Sequence, residues 1–239
     1  MELKNKRIVV LGGTSGIGLA VAEAAASAGA TPVVVSSRRA NVEAALARLA
    51  AGAEGEAVDL LDEAAVRGFF GRIGPFDHLV FTAGESLQIG SLKDMSLADA
   101  RRFFELRYWG ALTAAKYGAP SIRREGSIVF TSGIAGARPH PGWALGASIC
   151  SAMEGLTRAL AVELAPIRVN IVSPGFVRTP LWRGMAEAER ETMFAAAGQK
   201  LPVGRVGEAA DLADAYLFLM RQGFATGQSL VVDGGGVLV

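Results

Sequence analysis

Val9-Val10-Leu11-Gly12-Gly13-Thr14-Ser15-Gly16-Ile17-Gly18 reads as a buried strand that runs into a glycine-rich turn and then a helix. The order has a physical purpose. Glycines without side chains let backbone N–H groups approach a pyrophosphate, and the N-terminus of the following helix adds partial positive charge. Gly12, Gly16 and Gly18 are spaced G-x-x-x-G-x-G. That spacing gains weight when a strand precedes it and a helix follows, as they do here.

Strand-like and helix-like stretches alternate from this point on. Short runs rich in β-branched residues lie at 8–11, 32–36, 78–82, 127–131, 168–172 and 229–232. Longer alanine-rich stretches with helical spacing lie between them, at 18–28, 41–50, 63–71, 97–117, 148–164 and 208–220. Strand runs without polar alternation are buried on both faces, as in a parallel sheet covered by helices. Alternating strands and helices give right-handed βαβ units and a doubly wound α/β sheet. No linker or low-complexity segment interrupts the pattern, so residues 1–239 read as a single domain. Residues 181–203 break the rhythm with Trp182, Met185, Met193 and Phe194 among small and charged residues. An insertion at the carboxyl ends of the strands is where ligands bind in such sheets. Its functional reading is a mobile substrate lid, and its structural one a surface helix pair.

With 51% of residues apolar and 20% charged, the chain can bury a sizeable core and is not disordered. The net charge of +1, with both signs interspersed, argues against a nucleic-acid-binding surface. Cys150 is the one cysteine and the histidines are His78 and His140, so neither a disulfide nor a metal site is expected. The short, charged segment 1–7 leaves no room for a signal peptide. No apolar run approaches the ~20 residues that span a bilayer. A reducing compartment such as the cytoplasm is expected, with no membrane partner.

In these features the chain resembles the short-chain dehydrogenase/reductase family over nearly its whole length. Gly12-Gly13-Thr14-Ser15-Gly16-Ile17-Gly18 resembles the TGxxxGxG loop, with Leu11 in place of its threonine. Asp59, in Val58-Asp59-Leu60, resembles the acid that contacts adenine. Thr82-Ala83-Gly84 resembles the NAG turn beside the adenine ribose. Ser173-Pro174-Gly175-Phe176-Val177-Arg178-Thr179-Pro180 resembles the loop that holds nicotinamide, and the tail 232–236 is also similar. The resemblance implies a Rossmann fold with a mostly seven-stranded parallel sheet and helices on both faces. It also implies a small-molecule substrate or effector and a homodimer or homotetramer through the helices at 97–117 and 148–164. The implied cofactor contacts are Gly12, Thr14, Ser15, Gly16, Ile17, Gly18, Asp59, Leu60, Thr82, Ala83, Gly84, Pro174, Gly175, Val177 and Thr179. The end of the second strand is Ser36-Ser37-Arg38-Arg39, with no acid. A carboxylate there would hold the ribose 2′-OH of NAD and repel a 2′-phosphate, whereas guanidinium groups pair with phosphate. Ser37, Arg38 and Arg39 therefore predict NADP(H) over NAD(H).

The catalytic positions of the family depart from its pattern. Its members use an asparagine, a serine, and the tyrosine and lysine of a YxxxK motif. Here Tyr108, Tyr117 and Tyr216 are followed four residues later by Leu112, Ser121 and Met220. By the resemblance, the serine position is Gly133, the tyrosine position Gly146, the lysine position Cys150 and the asparagine position Arg107. Ser132 lies one residue early, and one step along a strand reverses side-chain direction. Arg107 is permanently cationic, so it serves to bind an anion or polarise an oxygen; its structural reading is a salt bridge to Glu105 or Asp99. His140 has the right intrinsic pKa for proton transfer, or is simply an exposed loop residue. Trp143 either walls the pocket or packs, and His78 is read as capping structure. Two function classes follow: an oxidoreductase with unusual proton handling, or a non-catalytic NADP(H)-binding regulator or scaffold. Non-redox chemistry such as a cyclisation is a third.

Overall fold

The computed structural model describes residues 2–239. Seven strands form one sheet in the order β3-β2-β1-β4-β5-β6-β9, with every neighbouring pair parallel. They are β1 (Arg7–Leu11), β2 (Thr31–Ser36), β3 (Glu54–Ala57), β4 (Phe76–Phe81), β5 (Ile122–Thr131), β6 (Arg168–Pro174) and β9 (Ser229–Val232). Two residues each of β7 (Val177–Arg178) and β8 (Gly207–Glu208) pair in a separate parallel ribbon.

The sheet has two apolar faces because its strands alternate between two cores. Val9 and Leu11 face one core with Phe69, Phe103, Ala111 and Ile149. Ile8 and Val10 face the other with Val21, Ala22, Leu212 and Tyr216. The first core takes α3 (Glu63–Ile73), α5 (Ala111–Gly118) and α6 (Ala144–Glu163). The second takes α1 (Gly16–Ser27), α2 (Arg39–Leu46) and α8 (Ala209–Arg221). Every residue of β1 after Arg7 is fully buried, as continuous apolar runs require.

Three sequence readings change. Glu54-Gly55-Glu56-Ala57, unread as a strand, pairs with β2 as the sheet's edge. Residues 97–117 do not form one α-helix: α4 (Leu97–Phe104) passes through a π-turn at Glu105–Gly110 into α5. His78 does not cap anything; it lies inside β4, buried, with Nδ1 2.9 Å from the Ser127 hydroxyl. The sequence order reverses across β1, between β2 and β4. A crevice opens at such a reversal beyond the strands' carboxyl ends, and the glycine turn after β1 enters it.

Candidate active site

A cleft of about 450 Å³ occupies that crevice. Its floor is the turn from β1 into α1. Gly12 has φ +84°, and a Cβ there would lie 2.6 Å from the Ala83 nitrogen. A Cβ on Gly18 would lie 2.3 Å from both the Gly12 carbonyl and the Thr82 hydroxyl. The loop is therefore folded as tightly as glycine permits and presses against the Thr82-Ala83 turn. Ser15 caps α1 without a side-chain hydrogen bond, and the first turn has no acid. The leading N–H groups of α1 are left for a ligand, unlike those of α3, which the Asp62 carboxylate accepts. This arrangement fits the pyrophosphate of a dinucleotide.

All of the predicted cofactor residues except Arg39 line the cleft. Ser37 and Arg38 do so at the end of β2, exposed and with no carboxylate on that strand end. Arg39 starts α2 and is not among the residues that line the cleft. Asp59 uses Oδ1 to accept the Leu61 N–H at 3.0 Å.

The opposite wall brings together the four positions that the resemblance marked as catalytic: Arg107, Gly133, Gly146 and Cys150. Gly133 follows β5, and Gly146 and Cys150 lie one turn apart near the start of α6. Cys150 is buried, and burial pushes its thiol pKa up despite the Ser132 hydroxyl, the Gly136 backbone and Arg107 nearby. Ser132 also lines the cleft, but its Oγ donates to the Cys150 carbonyl at 3.2 Å. Arg107 stands in the π-turn, where a wider helical turn re-aims side chains. Its Nη2 donates to the Glu85 carbonyl, and its Nε is buried without a partner. Asp99 pairs with Arg102 rather than with Arg107. Burial lowers the Arg107 pKa from a very high starting value, so the group remains a cation.

His140 lies outside the cleft lining, exposed, with its ring 5.7 Å from that of Trp143. The loop turns its polar end outward and its tryptophan inward. Trp143 lines the cleft and stands 6.1 Å from Phe176, which stacks on Trp182 at 5.7 Å with 14° between the planes. Sequence reading did not assign Phe176 or Leu87 to the wall. Their signal was position, in the nicotinamide-type loop and just after Thr82-Ala83-Gly84.

The segment 181–203 contains α7 (Glu187–Lys200). Its Trp182, Phe194 and Leu201 form a small core with Val206, to which Trp143 and Phe176 pack. Leu181, Trp182 and Arg183 reach the cleft. Among the described residues no group of three or more His, Cys, Asp or Glu side chains is placed to hold a metal, and no helix is long and apolar enough to cross a membrane.

The sequence profile described as Enoyl-(Acyl carrier protein) reductase matches residues 12–236. The short-chain dehydrogenase/reductase ATR9 of Stachybotrys chlorohalonatus is 36% identical over 254 residues, covering 99% of this chain and 98% of that protein. A small-chain dehydrogenase solved in complex with NADPH is 36% identical, with a TM-score of 0.84 over 99% of this chain and 100% of its own. The reductase/Diels-Alderase MalC of Malbranchea aurantiaca superposes with a TM-score of 0.91 at 31% identity, over 99% of this chain and 98% of its own.

Proposed function

The chain belongs to the short-chain dehydrogenase/reductase family of oxidoreductases, and from that premise we propose that it binds NADP(H) and reduces an electron-poor C=N or conjugated C=C bond of a small apolar substrate without the family's tyrosine and lysine. One observation carries the reading. The glycine cradle, the Ser37–Arg38 corner and the Gly133–Gly146–Cys150 wall line one continuous cleft.

The cradle holds the pyrophosphate through the backbone of Gly12 and of Thr14 to Gly18 at the open end of α1. Ser37 and Arg38 take the ribose 2′-phosphate, Asp59 and Leu60 the adenine side, and Thr82, Ala83 and Gly84 the adjacent ribose. Pro174, Gly175, Val177 and Thr179 hold the nicotinamide end. Arg39 does not line the cleft, so the main phosphate contact is assigned to Arg38. The relative solved with NADPH supports the phosphate assignment. When bound, NADPH supplies a hydride, one proton with two electrons, to the acceptor carbon.

The wall explains which acceptors suit. An iminium carbon that gains a hydride becomes a neutral amine and needs no proton donor, so glycine at position 146 is no handicap. A conjugated enone becomes an enolate, whose oxygen the Arg107 cation stabilises until water protonates it. An unactivated ketone needs an acid as the hydride arrives, and the wall places no tyrosine there.

MalC favours a second reading, ring closure between a diene and an alkene with the dinucleotide as scaffold. No electrons leave the substrate in that reaction, so its product would be an isomer formed without loss of NADPH absorbance.

We also assign Leu97 and Trp109, both more than half exposed on the broken helix, to a contact between copies in a homodimer or homotetramer. Light scattering that shows monomer alone overturns this.

The central test titrates NADPH and NADH by quenching of Trp143 and Trp182, then follows NADPH absorbance with a cyclic iminium, an aryl enone and a dialkyl ketone. Tighter NADPH binding with turnover of the first two is expected. No dinucleotide binding, or turnover of the ketone alone, overturns the proposal.

A further inference from the structure

We infer that Gly146, with Gly133 and Cys150, is a specificity-determining void that seats the ring system of a bulky, largely apolar aryl substrate, with an acceptor oxygen of that substrate bound by Arg107. The inference deepens the reading of the cleft as a reductase site and rests on it.

Other glycines of the cleft are required by the backbone. Gly12 and Gly18 are fixed by positive φ or by backbone at 2.6 Å or less, and a Cβ on Gly175 would lie 2.7 Å from the Asp233 Cα. Gly146 has no such reason. Its φ is not positive, it lies in the first turn of α6, and a Cβ there would meet nothing nearer than the Ala135 Cβ at 3.9 Å, an ordinary contact. Gly133 has φ −173° and ψ 160°, extended backbone open to any residue; a Cβ there would press on the Cys150 sulfur at 3.3 Å and meet the Pro174 carbonyl oxygen at 3.8 Å, so the sulfur would have to give slightly. Glycine in a helix is less stable than alanine, so position 146 gives up stability with no return in backbone geometry. Its return is space: all three residues open onto the cleft.

The surroundings define what fills the space. Trp143, Phe176 and Trp182 line it as a run of rings in edge and stacked contact. Such a wall suits the flat face of another ring. On the same wall stands Arg107, a cation that makes no ion pair with a carboxylate among the described residues, although the charge of Glu85 on the cleft rim favours it. Its guanidinium is pinned between the Phe103 ring at 4.8 Å and Gly84, where a Cβ would lie 2.9 Å from Nη1. A held, incompletely paired guanidinium beside an apolar void selects a ligand that brings its own oxygen acceptor.

The experiment uses 2-naphthoate and 2-methylnaphthalene as probes on the full chain, read by tryptophan quenching in the presence of saturating NADPH. The wild type is expected to bind 2-naphthoate. Gly146→Ala should weaken binding severalfold and Gly146→Phe by at least tenfold, while both variants bind NADPH and melt no lower than the wild type. Arg107→Met should lower affinity for 2-naphthoate at least tenfold but change that for 2-methylnaphthalene less than threefold. Absence of 2-naphthoate binding, or equal affinity in the wild type, Gly146→Ala and Gly146→Phe, overturns the inference. If Gly146→Phe fails to fold, Gly146→Ala still decides, by the same graded loss or its absence. Failure of the reductase reading looks different, because it shows as no NADPH binding or as no loss of NADPH absorbance with the iminium and enone, neither of which is read with 2-naphthoate.

Discussion

The guanidinium carbon of Arg107 lies 4.8 Å from the centre of the Phe103 ring, one turn earlier on the same broken helix. The ring and the charge of Glu85 stabilise a cation that makes no ion pair among the described residues, and the π-turn sets the approach. Arg107→Lys keeps the charge but loses the planar fork, and Arg107→Gln loses the charge. With an enone substrate, kcat/KM should fall roughly 10-fold for the lysine variant and about 100-fold for the glutamine variant. With a pre-formed iminium substrate the fall should be much smaller, because no oxygen gains charge there. Steady-state rates for both substrates check this, and equal losses on both would refute the oxygen-binding role.

On the proposed reading, Arg38 sets the cofactor preference by its charge. It lies exposed at the end of β2 on the cleft rim, with no acid on that strand end. Arg38→Glu replaces a phosphate partner by a phosphate repeller. NADPH should bind about 10- to 100-fold more weakly, from loss of a charge-assisted contact of ~1.5–3 kcal/mol, while NADH binding holds or improves. Arg39→Glu should do far less, since that side chain is outside the cleft. Titration of both nucleotides against both variants separates the two arginines.

Much of this architecture was legible in the residues, for identifiable reasons. The β-branched runs of β1, β2, β4, β5, β6 and β9 are long enough to exclude other readings. β3 was not legible, because Glu54-Gly55-Glu56-Ala57 is short and has no β-branched or large apolar residue; its strand form comes from the backbone of β2. The π-turn was hidden because helical spacing does not distinguish one wide turn within a longer run. The glycine cradle was readable since its spacing follows from backbone contact. The direction of His140 was not readable: it is settled by how one loop packs, one residue at a time. The same loop turns Trp143 inward and His140 out.

His78 gives the fold an acid-sensitive point away from the cleft. Burial lowers its pKa from 6.5 to about 4, outweighing the pull of Asp77, with Arg168 and Lys6 adding to the lowering. The neutral ring is hydrogen-bonded to Ser127. Because the folded pKa lies below the unfolded one, stability is full above pH 6.5. It is lost as pH falls toward 4, where only the unfolded chain takes up the proton. The loss is on the order of 3 kcal/mol. The Asp77 carboxyl, held below its usual range by the Arg7 N–H and Lys6 against the cost of its burial, adds its loss only at lower pH. Urea unfolding at pH 7, 6, 5 and 4 should show the decline in the wild type and a flatter curve in His78→Gln. Parallel curves would remove His78 as the cause.

Arg178 ties the 181–203 segment to β7, beside the Pro174–Thr179 stretch of the cleft. From β7 its Nη1 contacts both Glu191 carboxylate oxygens of α7, at 2.8 and 2.6 Å, and its guanidinium lies 4.5 Å from the Phe194 ring. Nε stands 3.5 Å from Glu208. These carboxylates are about half exposed, so each pair contributes less than about 1 kcal/mol and weakens with salt. Trp182 is different: only 6% exposed, it anchors the segment by packing and by an indole N–H bond to the Val177 carbonyl at 3.0 Å. If the segment is a lid, the arginine governs its closure and the tryptophan its fold. Glu191→Gln should then lower the unfolding free energy by less than ~1 kcal/mol, raise KM for substrate severalfold, and abolish any rise of KM with salt seen in the wild type. Trp182→Ala should cost ~3–5 kcal/mol of stability. A KM for Glu191→Gln equal to the wild type at low and high salt would mean that α7 is fixed structure, held by its apolar core with no closing motion for the ion pairs to control.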